Sequence, residues 1–429
     1  MAVPSLAPAP PPSAPARGGQ IPWRAVLVFA ASLAILQYHH GWYGASLTLA
    51  LAALAWLICA LLTRWHMHGW RKLFGYALFF LTPLLTWNGQ ISVLTGFGGS
   101  SVSLPWLGIA FVSASLALHV THGALNWRNM LYALQPLRFN SGPCALPPAR
   151  PHRRARLSLR RARVALGWLV AGAFFYSVLA AGIAPLLMLK PSTDALDILA
   201  FAILFEAYVY FNFSGVSFMV LGLLQLAGVP VLRNFNLPFA ARDVIGYWQR
   251  WHLSLSAILK ALFFQPLKSR LGLAPAVLTV FLCSALWHGV SLNFVLWGAF
   301  HAGGWLLAHA LGRHLPGTAA RVLNAALLPL IIVPGRLIFS EADSAQLLFK
   351  LQQLCLWHSN GDAWLYHLAL DGKTVLILLA SLIWLLAEVL WSRPLRNYRL
   401  LRGPWMTLLL ASVCLAFGNS GLGSVYGAR

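Results

Sequence analysis

The sequence predicts an all-α, polytopic integral membrane protein of about eleven transmembrane helices plus in-plane or re-entrant helices. Three observations carry this. Only 9% of the 429 residues are charged, against about 25% in a soluble domain. Hydrophobic residues make up 59%, and the mean hydropathy is +0.70. Apolar stretches of roughly 17–25 residues, the length a bilayer demands, recur along the whole chain.

Taken in order, the candidate spans fall near 22–38, 44–62, 74–95, 103–122, 164–188, 195–228, 273–289, 291–311, 321–338, 373–392 and 404–420. Residues 1–20 are rich in Pro and Ala and read as a disordered cytoplasmic tail, followed by an uncleaved first anchor. Residues 21–429 read as a single membrane domain without a visible 20–50-residue repeat. The five cysteines, Cys59, Cys144, Cys283, Cys355 and Cys414, are scattered, which favours neither a zinc site nor a disulfide framework.

The net charge of +22 is uneven: no Asp or Glu precedes Asp194, while Arg150, Arg153, Arg154, Arg156, Arg160, Arg161 and Arg163 crowd one loop. Loops rich in Lys and Arg stay cytoplasmic and rest on anionic headgroups. Membrane lipids are therefore the expected partner, and nucleic acid is not. Basic loops alternate with loops poor in Lys and Arg, such as 96–102 and the acidic Ser340-Glu341-Ala342-Asp343. The alternation fits a cytoplasmic N-terminus and an external C-terminus.

The central third differs in character. From Trp248 to Phe264 the tryptophans, leucines and Phe263 recur at helical spacing, with Gln249, His252, Ser256 and Lys260 on a second stripe. This predicts one amphipathic helix lying at the interface or tucked into the protein. The next segment, Leu273 to Trp287, would rise about 22 Å, short of a hydrocarbon core roughly 30 Å thick. His288-Gly289 then breaks the helix at membrane depth, a break tolerated only where it is packed in protein or lines a watery cavity. An ionisable group in that setting marks function more often than packing. Glu206, a carboxylate deep inside an apolar span, calls for Arg242 or a histidine as partner. His119 and His122 lack accompanying carboxylates or cysteines, and no metal site is expected.

Several motifs in this region resemble one family. They are Tyr210-Phe211-Asn212-Phe213-Ser214-Gly215, Phe235-Asn236-Leu237-Pro238-Phe239, and Trp248-Gln249-Arg250-Trp251-His252-Leu253-Ser254-Leu255-Ser256. Pro266-Leu267, Leu286-Trp287-His288-Gly289, Phe294-Val295-Leu296-Trp297-Gly298 and His301 follow, with a weaker Ser141-Gly142-Pro143 upstream. Together they resemble the membrane-bound O-acyltransferase (MBOAT) family, in its bacterial branch of alginate O-acetylation and teichoic-acid D-alanylation proteins. The likeness makes 208–311 the catalytic core. It departs from the family where Asn212, Phe218 and Ala261 stand in place of expected acidic residues.

The resemblance implies a helical shell around a central tunnel in a bacterial inner membrane. A short acyl group, acetyl or D-alanyl, would pass from a cytoplasmic thioester donor, CoA or an acyl-carrier protein, to an extracytoplasmic polysaccharide or other envelope polymer. No tightly bound cofactor is implied, and a separate extracellular or periplasmic protein would finish the transfer. His288 matches the family's invariant histidine, the general base, and His252 its second histidine. Trp287, Asn236, Trp248, Gln249, Trp251, Ser254, Ser256 and His301 are the candidate substrate-binding residues. The competing readings are a transporter or flippase, which calls for matching broken helices in two halves, and an inactive accessory subunit, which the missing acids favour.

Overall fold

The computed structural model describes residues 158–187, 194–226, 233–289, 291–341, 343–359, 371–390 and 398–418, with scattered positions between 30 and 80. The expected tail at 1–20, most of the first four spans and Ser141-Gly142-Pro143 lie outside the described residues, as does a count of eleven crossings.

All described regular structure is helical, and five helices are long and apolar enough to cross a membrane. They are α1 (Leu159–Leu187), α2 (Ala195–Leu226), α7 (Leu292–His314), α8 (Gly317–Ser340) and α10 (Gly372–Leu390). The protein is a multi-pass membrane protein. Between α2 and α7 lie α3 (Val244–Trp248), α4 (Leu253–Leu259), α5 (Gln265–Leu271) and α6 (Leu273–His288). An additional short helix, α9 (Ser344–Cys355), follows α8, and α11 (Pro404–Phe417) closes the described chain. With 14 residues α11 is shorter than the expected span at 404–420.

Among the described residues the first crossing, α1, begins earlier than the span expected at 164–188 because Ser158 caps it, accepting a hydrogen bond from the Arg161 amide at 3.3 Å. Arg160, Arg161 and Arg163 thus ride on an exposed first turn. Midway, Phe174–Ala180 widens into a π-helical turn. There α1 packs backbone to backbone on α2: a Cβ on Gly172 would lie 2.6 Å from the Gly215 carbonyl oxygen, and one on Gly215 would lie 2.8 Å from the Tyr176 nitrogen. Small residues supply such close packing in membranes, where lipid is as apolar as the helix surface. The Gly215 of the Tyr210–Gly215 motif is therefore explained by packing.

The expected single amphipathic helix over 248–264 is not formed. α3 stops at Trp248, and His252 adopts a left-handed conformation (φ 50°, ψ 52°) at the N-cap of α4. Past α4 the helix turns π-helical over Lys260–Phe264. Backbone pairing overrides the periodicity. The Asn236 amide donates to the Arg250 carbonyl at 3.0 Å, and the Leu253 amide donates to the Asn234 carbonyl at 2.8 Å. Residues 234–236 therefore run alongside 250–253 and hold the kink between them, which offsets the roughly 1–3 kcal/mol cost of a left-handed non-glycine residue.

Candidate active site

Helix α6 is 16 residues long and ends at His288, so the break falls where the sequence placed it. Ser291 restarts the chain as the N-cap of α7, its hydroxyl accepting from the Phe294 amide at 3.3 Å. Gly289 is required by close approach: a Cβ there would sit 2.7 Å from the Phe294 ring. That ring stacks on His288 at 6.3 Å and 25°.

His288 is half-buried in a box of rings. The Trp287 ring lies at 4.9 Å, Trp297 of α7 at 5.9 Å and Phe339 of α8 at 5.0 Å, each edge-on. His252 is buried, edge-on to Phe213 of α2 at 4.7 Å and to Trp287 at 6.1 Å. Trp287 thus stands between the two histidines, its ring in edge contact with both. His301 continues the series: fully enclosed on α7, its ring lies 4.9 Å from Trp297 and 4.9 Å from Trp248. The Nδ1 of His301 and the Nε1 of Trp248 are both buried without a hydrogen-bond partner among the described residues. Gly335 of α8 leaves the room that the His301 ring fills.

Other candidate residues divide differently. Trp251 is buried, stacked on Tyr247 at 5.6 Å and 17°, with the Arg336 guanidinium 5.1 Å from its ring. Ser254 is fully buried, and its hydroxyl donates to Asn234 Oδ1 at 2.8 Å. Ser256 donates to the Trp251 carbonyl at 3.4 Å, and the Asn236 carbonyl accepts from Arg250 at 3.2 Å. The observed bonds of these three brace the kink. Gln249 is exposed beyond the end of α3, away from the stripe the sequence suggested.

Three buried polar groups were missed or misassigned from sequence. Glu206 pairs with Arg336 of α8 and accepts from the Tyr247 hydroxyl, replacing the expected Arg242 or histidine. Arg336 sits inside an apolar run, and nothing local links it to a carboxylate 130 positions earlier. Asn234 joins three elements: it accepts from the Ser254 amide and hydroxyl and donates to Ser217 of α2 at 3.3 Å. Glu388 of α10 accepts from the Tyr210 hydroxyl, from Trp384 Nε1 at 2.8 Å and from the Phe239 amide at 3.2 Å. Beside it, the Tyr398 hydroxyl accepts from the Leu237 amide at 2.9 Å. Leu237 and Tyr398 are themselves left-handed (φ 54° and 52°), so this cluster clamps the Phe235–Phe239 motif in its turn.

Residues 158–321 match the model of the membrane-bound O-acyltransferase family, MBOAT, and thus carry an MBOAT domain. Over 160 residues the chain is 33% identical to the probable alginate O-acetylase AlgI of Pseudomonas aeruginosa, covering 35% of this chain and 30% of that protein. The peptidoglycan O-acetyltransferase of Helicobacter pylori is 34% identical over 97 residues, 22% of this chain and 18% of that protein. The teichoic acid D-alanyltransferase of Bacillus subtilis is 27% identical over 109 residues, 23% of this chain and 28% of that protein. The chain thus spans less than a third of the length of each of these relatives.

Proposed function

We propose that this MBOAT-type chain is a membrane O-acyltransferase. In this reading it moves a short acyl group from a cytoplasmic thioester, on CoA or a carrier protein, to a hydroxyl of an extracytoplasmic polysaccharide or envelope polymer. The membrane is the inner membrane of a bacterium, and a separate external protein completes delivery. The observation that carries the proposal is His288, held at a helix end inside a box of rings, next to His252, within the MBOAT domain.

The chemistry follows from the imidazole. Its ordinary pKa near 6.5 suits it to accept the proton of an acceptor hydroxyl and later return it, a step contributing roughly 10²–10⁴-fold. The alkoxide attacks the thioester carbonyl, the tetrahedral intermediate expels the thiolate, and the thiolate takes the proton from His288. His252 and the Trp287 ring N–H, both buried beside His288, are the groups we assign to holding the acyl carbonyl as its oxygen gains charge. Gln249, being exposed, is given no part in this step. The surrounding rings keep bulk water from competing with the acceptor.

The test is His288→Ala in cells, with polymer-bound esters released by mild base and quantified at matched membrane abundance. Ester content should fall by roughly a hundredfold or more. Unchanged ester content would end this reading and leave a transporter or an accessory role.

A further inference from the structure

Arginines from separate parts of the chain gather near the start of α1. Gly167 of α1 meets the segment just before α11: a Cβ there would sit 2.8 Å from the Arg402 Cα. The Arg402 guanidinium lies over the Trp168 ring at 4.6 Å, and its Nε donates to the Tyr398 carbonyl at 3.4 Å. Trp168 in turn packs on Phe218 of α2 at 4.9 Å and on Tyr398 at 5.9 Å. A seat of rings thus holds Arg402 half-buried.

Two more cations are brought to the same place. Arg399 is exposed one tight turn earlier, its carbonyl accepting from the Arg402 amide at 3.2 Å. Arg233, half-buried, immediately precedes Asn234, and the bond from the Leu237 amide to the Tyr398 hydroxyl ties that segment to residues 398–402. Burial, and then the like charges of Arg233 and Arg399, lower the pKa of Arg402 from its ordinary range. Like charges held together repel, and an anion among them turns that cost into attraction. A guanidinium presents a planar fork that fits the paired oxygens of a phosphate.

The surroundings favour a lipid as the source of that phosphate. Leu400, Trp405, Leu408 and Leu409 are exposed around and beyond Arg402. The exposed first turn of α1 carries Arg160, Arg161 and Arg163 toward the same end. Outward tryptophan beside basic side chains is the pattern of headgroup depth.

We infer that Arg233, Arg399 and Arg402 form a site for the phosphate of an anionic phospholipid, whose acyl chains lie beside the exposed leucines of α11. The bound headgroup joins the segment before the Phe235–Phe239 motif to the segment before α11, and so stiffens the frame around Glu388 from outside. The site stands apart from the acyltransferase reading and uses none of the groups around His288.

The test uses the purified full chain in neutral maltoside micelles, with melting temperature followed as phosphatidylglycerol is titrated. Parallel titrations use zwitterionic phosphatidylcholine and CoA, the latter a soluble carrier of phosphate. Phosphatidylglycerol should raise the melting temperature to a plateau, and the other two should not. Arg399→Gln and Arg233→Gln should each raise the half-saturating lipid concentration about tenfold, the loss of one charge-assisted contact. Arg270→Gln removes the same charge from the exposed end of α5 and should leave that concentration unchanged. An equal rise in Arg270→Gln would reduce the effect to diffuse attraction and overturn the site. Stabilisation by CoA that matches phosphatidylglycerol would overturn the lipid assignment. Arg399 is exposed, so its variant keeps the test decisive even where Arg233→Gln folds poorly.

Discussion

Two clusters, one of hydrogen bonds around Glu388 and one of rings around His288, are built in opposite ways. Around Glu388 three donors converge on one carboxylate, and the adjacent Tyr398 hydroxyl accepts a second backbone amide. Around His288 the observed contacts are ring edges and one stacked ring. The first arrangement saturates hydrogen bonds and stiffens the backbone, because a buried polar group left without a partner is costly. The second supplies shape and dryness around an imidazole, which suits a group that must exchange a proton. The comparison separates a frame from the reactive group it presents.

Breaking the frame should cost stability before chemistry. Arg336→Leu strands Glu206 beneath the ring box, and we expect a loss of about 3–5 kcal/mol, read as a lower melting temperature in detergent. The double variant Glu206→Gln with Arg336→Met should be milder than that single change, since no buried charge is left over. Glu388→Ala removes the acceptor of three donors and should cost about 2–3 kcal/mol, while Glu388→Gln recovers much of it. A melting temperature equally low for both Glu388 variants would show that the carboxylate's charge matters more than its acceptor oxygens.

Changes in the ring box should sharpen the contrast from the other side. Gly289→Ala drives a Cβ into Phe294 and should cost about 1–3 kcal/mol. Its ester-forming rate at matched abundance should fall further than its stability loss explains, because Phe294 also stacks on His288. Gln249→Ala is the smallest change: an exposed side chain beyond α3, expected to alter stability by no more than about 0.5 kcal/mol and to leave ester formation unchanged. A large loss of activity there would return Gln249 to the reaction.

Much of the fold was legible locally. Seven apolar runs from 164 onward reappear as helices, since each buries or exposes its apolar side chains along its own length. The break at His288-Gly289 was legible because the run before it is too short to cross, and the glycine is required where Phe294 closes in. The kink at His252 was not. Its stripe reads as continuous helix, and only hydrogen bonds from Asn234 and Asn236 divert it. Ser254 and Ser256, read as candidate binding residues, hydrogen-bond to Asn234 and to the Trp251 carbonyl, partners that the sequence did not reveal.

By itself the sequence determined a membrane protein with an ionisable side chain placed at a helix break, because hydropathy and helix rise are properties of consecutive residues. Only the tertiary structure decided which buried polar and charged groups satisfy one another. Glu206 finds Arg336 130 positions away, and Tyr210 finds Glu388 178 positions away. Such pairings depend on how helices are packed side by side. Desolvation forces each buried charge to have a partner, but it does not say from which helix.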